Sequence, residues 1–262
     1  MDYLLIVIFG LAAGSFLNSV VYRLNEGGDI FSFKTRSFCP SCRHVLGWRD
    51  LIPLVSFFGL AGKCRFCKKP ISRWYPMGEL SGGLLFAATL FFLKHTDASR
   101  LLAGEFSFFA GVEIIHLAIL SFFLLGVFLS DFRYFTIPDV FVAILLVSSF
   151  TLIVIEHFWP TVPISFLLPS LGASIMGGIA AFLFFFPIVF FSREKLMGWG
   201  DVKYGIFMGI ALGWPYLAAG LYIAFILGAF VGLVLIFAKR KTLKSEIPFG
   251  VFLVPATLIA LF

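Results

Sequence analysis

Long apolar runs broken by short polar stretches dominate the chain. Eight segments are candidates for helices that cross a bilayer: residues 3–22, 80–93, 106–129, 137–158, 164–191, 202–213, 216–237 and 248–262. At about 1.5 Å per residue, a hydrocarbon core of about 30 Å needs roughly 20 apolar residues. Most of the segments meet that length. Residues 202–213 fall short, and they read as a short or partly re-entrant helix ending at Trp214-Pro215. The first run has no positive stretch before it and no small-residue cleavage site, so it reads as an uncleaved helix and not as a secretory signal.

Composition narrows the class. Of 262 residues, 60% are hydrophobic, 36 are Phe and only 13% are charged, with a mean hydropathy of +1.03. A water-facing surface needs about a quarter of its residues charged, so a large soluble domain is excluded. The expected fold is an all-α polytopic membrane protein of about eight transmembrane helices.

The few charges set the expected orientation. With the N-terminus outside, 18 of the 20 Lys and Arg fall on the inner side, and only Lys94 and Arg100 fall outside. That is the sense of the positive-inside rule. The net charge of +6 then reads as cytoplasmic loops lying beside anionic membrane lipid, and no nucleic acid is needed to explain it. Ten of the basic residues lie between Arg23 and Arg73, together with all four cysteines. The expected organisation is a first transmembrane helix (1–22), a small cytoplasmic loop domain (23–78) and a transmembrane helical domain (79–262).

Cys39-Pro40-Ser41-Cys42 and Cys64-Arg65-Phe66-Cys67 form two C-x2-C pairs with 21 residues between them. Two such knuckles can present four thiolates to one tetrahedral Zn2+, which lets a short segment with little core fold. A cytoplasmic location argues against disulfides. A thioredoxin-like reading would need a βαβ context that the surrounding sequence lacks. Four thiolates leave zinc no open position, so the expected role of Cys39, Cys42, Cys64 and Cys67 is structural.

Acids near apolar segments need a reason, because an ionised carboxylate at membrane depth costs about 2.5 to 3.5 kcal/mol even on insertion scales. Glu79, Glu113, Asp131, Asp139, Glu156 and Asp201 qualify. Glu156 reads as a solvated helix end. Glu113 and His116, spaced i, i+3, read as an internal hydrogen-bonded pair. Asp131 closes the third run and Asp201 follows Gly198-Trp199-Gly200 at the start of the sixth, so the expected topology brings both to one membrane face. Two carboxylates that meet repel each other, and one then holds a proton while the other stays ionised, the working state of an aspartic peptidase. Gly198 and Gly200, without Cβ atoms, would let an extended substrate lie close. On position alone, two solvated helix ends and a catalytic dyad are equally good readings.

Six ordered motifs weigh on that choice. They are Gly14-Ser15-Phe16-Leu17-Asn18 with Arg23; the paired C-x2-C; Tyr75-Pro76 with Glu79-Leu80; Asp131 with Ile137-Pro138-Asp139; Met197 to Lys203; and Ile247-Pro248-Phe249-Gly250. Together they resemble the bacterial type IV prepilin peptidases, the GxGD class of membrane aspartic peptidases. The resemblance implies cleavage of the short basic leader of type IV prepilins and type II secretion pseudopilins at the cytoplasmic face of the inner membrane. It also implies N-methylation of the new amino terminus by S-adenosylmethionine. It matches Asp131 and Asp201 to the catalytic aspartates, Gly198 and Gly200 to the supporting glycines, the four cysteines to a zinc-binding loop, and Asn18, Arg23 and Glu79 to the region of methyl transfer. Two rivals share parts of the pattern: a GxGD intramembrane protease without methyl transfer, which would usually lack the cysteine loop, and a polytopic transporter, which would more naturally show inverted repeats.

Overall fold

A computed structural model describes residues 3–26, 37–95, 108–158, 168–240, 242 and 245–261, with backbone alone at 93–95, 108–111 and 113. Among the described residues the secondary structure is helical, apart from two isolated β-bridges. The chain divides into two compact units, Met1–Ala103 and Gly104–Phe262.

The first unit contains α1 (Tyr3–Asn25), a single 3-10 turn at Trp48–Asp50, the short α2 (Val55–Gly59) and α3 (Trp74–His95). Packing of α1 on α3 depends on missing side chains. Gly10 and Gly14 of α1 face Gly78 and Gly82 of α3 so closely that a Cβ on Gly14 would overlap the Gly78 carbonyl oxygen. In a bilayer, where apolar contact between helices gains little over contact with lipid, such close backbone approach supplies the packing. The paired G-x3-G spacing was readable in the sequence. α3 begins six residues before the apolar run at 80–93, with Pro76 tolerated in its first turn and the Trp74 N–H donating to Ser72 Oγ at 3.3 Å. That earlier start carries Glu79 into the helix.

The second unit contains α4 (Phe108–Tyr134), α5 (Asp139–Phe158), α6 (Leu171–Ser192), α7 (Trp199–Leu212), α8 (Tyr216–Phe237) and α9 (Gly250–Leu261). Its core includes Leu124, Val127, Leu145, Ile153, Phe185, Phe207, Met208 and Leu253, all essentially without solvent contact. α6 and α7 meet glycine to glycine, since a Cβ on Gly177 or Gly209 would strike the other's carbonyl, and Gly205 lies under the Phe185 ring. α4 runs past its apolar stretch to Tyr134 because helical hydrogen bonding does not stop at the first charge. Asp131 is thereby a residue of the helix's last turn.

Each of the eight expected segments overlaps a helix. Among the described residues five helices are long and apolar enough to cross a membrane, those spanning Tyr3–Asn25, Ile114–Tyr134, Asp139–Phe158, Leu171–Ser192 and Tyr216–Phe237. α7, with 14 residues, and α9, with 12, are about 21 and 18 Å long at 1.5 Å per residue, below the roughly 30 Å of hydrocarbon.

Candidate functional site

The two aspartates are held alike. Asp201 sits in the first turn of α7, where its Oδ2 accepts the Gly198 N–H at 3.1 Å. Asp131 Oδ2 accepts the N–H of Val251, in the first turn of α9, at 3.0 Å. Each carboxylate therefore meets the N-terminal end of a helix, where unpaired N–H groups and the helix dipole favour negative charge. Both are nearly buried, at 5% and 9% exposure, and they lie within reach of each other's charge.

Three residues close this corner. A Cβ on Gly200 would lie 2.9 Å from Ile137 Cβ, and a Cβ on Gly250 would lie 2.8 Å from Asp131 Oδ2 and 3.1 Å from Ile137 Cδ1. Ile137 is thus wedged between the two glycines. A Cβ on Gly198 would make only an ordinary van der Waals contact, 3.9 Å from the Gly200 nitrogen, so of the two expected supporting glycines, Gly200 is the one under steric constraint. Gly250→Ala is expected to push a methyl group onto the Asp131 carboxylate and depress the site's activity far more than the protein's thermal stability. Paired activity and melting measurements on the variant check this.

Two further contacts tie α7 to its neighbours. Lys203 Nζ donates to both oxygens of Asp139 at 2.7 Å, an exposed pair between α7 and the start of α5. Thr257 Oγ1 donates to the Leu253 carbonyl at 2.8 Å. The Thr257 hydroxyl proton is thereby used, so the fully buried Tyr204 hydroxyl donates to Thr257 at 2.9 Å. This bond joins α7 to α9, whose N-terminal turns hold the two aspartates. Neither Tyr204 nor Thr257 stood out in the sequence, because each is one hydroxyl in an apolar run and only packing pairs them. His116 is buried, and among the described residues neither of its ring nitrogens has a partner, while the side chain of Glu113 lies outside the described residues. Glu156 is half-buried, and its Oε2 has no partner among the described residues.

In the first unit the four cysteines converge, with all four Sγ atoms within 4.8 Å of one another and Cys39 and Cys67 4.0 Å apart. Each pair occupies the same turn. The Cys39 N–H bonds the His44 carbonyl and the Arg43 N–H bonds Cys39; the Cys64 N–H bonds Lys69 and the Lys68 N–H bonds Cys64. Arg43 and Lys68 share a left-handed φ of 57° and 59°. A tetrahedral ion with bonds of about 2.3 Å to sulfur requires sulfurs about 3.8 Å apart, so the cluster is of a size to hold such an ion. The N–H groups of Cys67 and Phe66 hold the Cys64 thiol down to about 7. Arg65 donates to Asp50 at 2.7 Å and holds that carboxyl below the usual carboxylate range.

Beside the knuckles a cavity of about 380 Å³ opens among α1, α3 and the loop, lined by residues that include Ser15, Arg23, Phe57, Arg65, Tyr75 and Glu79. Glu79 accepts from Ser15 Oγ at 2.8 Å on one oxygen and from the Leu54 N–H at 2.8 Å on the other, and so joins both helices to the loop. Leu54 holds a φ of 58° in making that bond. Asn18 points elsewhere: its Nδ2 donates to the Tyr75 carbonyl at 3.0 Å, and its buried Oδ1 has no partner among the described residues. Of the three residues matched to methyl transfer, Arg23 and Glu79 line the cavity and Asn18 packs against α3.

Two family models match the chain, the bacterial peptidase A24 N-terminal domain over residues 8–93 and the type IV leader peptidase family over residues 118–233. A prepilin leader peptidase/N-methyltransferase of Burkholderia pseudomallei is 29% identical, covering 98% of this chain and 84% of its own. Proteins of the same name from Aeromonas hydrophila (29%; 98% and 89%) and Pseudomonas aeruginosa (28%; 97% and 88%) align similarly. No solved structure matches.

Proposed function

This chain belongs to the type IV leader peptidase family, and from that premise we propose a residue-level account of a prepilin leader peptidase/N-methyltransferase of the bacterial inner membrane. The observation that carries it is the pair of nearly buried carboxylates, Asp131 and Asp201, each placed on a helix N-terminus, with Ile137 packed between the flanking Gly200 and Gly250. One aspartate, ionised, takes a proton from water as the oxygen attacks the scissile carbonyl. The other, protonated, donates to the carbonyl oxygen. Collapse of the tetrahedral intermediate breaks the C–N bond, and the departing amine receives a proton from the dyad. The products are a leader with a new carboxylate and a shortened pilin with a new amino terminus. The topology expected from the charges puts this step at the cytoplasmic face, where a basic leader would lie.

Methyl transfer belongs to the cavity of the first unit. A volume of about 380 Å³ is in the range of small-molecule sites, and its lining suits S-adenosylmethionine: Arg23 or Arg65 for the carboxylate, Tyr75 and Phe57 for the flat adenine, Glu79 for positive charge. S-adenosylmethionine supplies an electrophilic methyl group. The residues' part is to hold the donor and admit the pilin amine. The ion that fits the cysteine cluster is zinc, held by Cys39, Cys42, Cys64 and Cys67 to order the loop over the cavity.

The test is to incubate purified protein with a type IV prepilin or pseudopilin precursor and labelled S-adenosylmethionine. A shortened product carrying label at its amino terminus is expected. A precursor left at full length would overturn the peptidase reading, and an unlabelled short product the methyl-transfer reading.

A further inference from the structure

Within the cysteine loop, residues 51–60 carry no charge and a single polar side chain, Ser56. An apolar stretch of that length is too short to cross a bilayer and suits a core element or an interfacial, re-entrant segment. It is not core here. None of its residues is buried, and Val55 and Phe58 are 66% and 72% exposed, as is Trp48 just before them at 72%.

The segment is nevertheless fixed at the depth of the helices. Its Leu54 N–H donates to Glu79 on α3, and the other Glu79 oxygen accepts from Ser15 on α1. From Ser15 and Glu79 toward the loop, the next charges are Arg23 and Arg73. Ser15 and Glu79 therefore lie about 12 and 9 Å deeper than those charges, at 1.5 Å per residue. Segments that lie in a membrane interface bury their apolar face to about 5–10 Å. Backbone at such depth must find its partners within the protein, and it does: beside the Leu54 N–H, those of Ser56, Phe58 and Leu60 bond the carbonyls of Ile52, Leu54 and Ser56.

The two sides of the segment face different surroundings. Leu51, Ser56, Phe57 and Leu60 line the cavity, whereas Ile52, Val55 and Phe58 lie outside its lining and are exposed. Charge complements the outer side. Residues 37–73 hold seven Lys and Arg against one acid, Asp50, which favours an anionic leaflet. Arg49 lies over the Trp48 ring, 5.3 Å from its centroid, and tryptophan with a cation is suited to the headgroup level. A water-borne protein partner would have to displace lipid to reach this depth.

We propose that Ile52, Val55 and Phe58 sit among acyl chains at the edge of an anionic bilayer, with Trp48 and Arg49 at the headgroups, so that the cysteine loop is seated in the membrane. The loop wall of the cavity is then backed by lipid, and a methyl acceptor anchored in the bilayer reaches the cavity without leaving it. That last consequence rests on the proposed function.

The experiment uses the full-length protein with fluorescent dansylalanine in place of Phe58, in nanodiscs of phosphatidylethanolamine and phosphatidylglycerol. Lipid brominated on its acyl chains is expected to quench this probe within about twofold of one in place of Phe9, an exposed position on the span α1, while aqueous iodide leaves it bright. Strong iodide quenching would overturn the lipid surface, and so would protection from both quenchers, which would show that protein covers the segment. Val55→Asp, with zinc retained, is expected to open position 58 to iodide several-fold, because a carboxylate resists the interface; a probe still shielded would overturn the proposal. The same variant should lower methyl transfer to a cleaved pilin in the bilayer roughly tenfold. Because quenching needs no turnover, a failed lipid surface and a failed methyl-transfer reading give different results.

Discussion

Asp131→Asn and Asp201→Asn should each reduce leader removal by at least about 10² to 10⁴-fold, the contribution of a positioned acid or base, while leaving the fold in place. Asparagine keeps an oxygen that can accept the Val251 or Gly198 N–H, so the turns that begin α9 and α7 retain their partners. What it loses is the ability to exchange a proton. Alanine at either position would remove the hydrogen bond as well, at a further cost of about 1 kcal/mol typical of a lost helix cap. Cleavage rates, measured beside thermal unfolding of the same preparations, separate the two effects. If either asparagine variant cleaves within tenfold of the unaltered protein, the dyad is wrong. Methyl transfer to a pilin supplied already cleaved should persist in both variants, since Arg23, Glu79 and the cysteines belong to the other unit.

The second large effect is expected from the cysteine cluster. Between residues 37 and 73 the only buried residues are Cys39 and Cys64, so this loop has almost no hydrophobic core. A structural zinc ion contributes about 10 to 16 kcal/mol to folding in comparable peptides, far more than the exposed Arg65–Asp50 pair can supply. Cys39→Ser, or zinc removal by a strong chelator, is therefore expected to unfold the loop and release the Leu54 N–H from Glu79. The cavity would then open, and methyl transfer to a cleaved pilin should fall further than it does in Asp131→Asn. Zinc content near one ion per chain in the unaltered protein, together with faster proteolysis of residues 37–73 in the variant, would report the cause. Undiminished methyl transfer in protein shown to be free of zinc would sink the assignment.

Legibility followed the range of the interactions involved. The helices could be placed from apolar runs because the bilayer imposes hydropathy locally, one segment at a time. Their ends could not: α3 and α4 continue through Glu79 and Asp131, because backbone hydrogen bonding tolerates a polar residue where a hydropathy window does not. The cysteine pairs were legible because short fixed spacing within each knuckle is itself the ligand geometry. Glu79 was visible as an expensive acid, but its two partners, Ser15 and the Leu54 N–H, lie 64 and 25 residues away. The separate course of Asn18, turned toward the Tyr75 carbonyl, was equally out of reach.

The amino-acid sequence by itself determined that this is a helical membrane protein, that its cysteines form a metal-type quartet, and that Asp131 and Asp201 are scarce acids in need of a reason. Only the tertiary structure decided what each acid rests on. Asp131 is capped by Val251, 120 residues away, and Gly250 and Gly200 close on one Ile137 side chain. Composition and spacing are properties of neighbours along the chain, whereas a carboxylate's hydrogen bonds and the room beside it are set by which helices pack together, and no local pattern encodes that pairing.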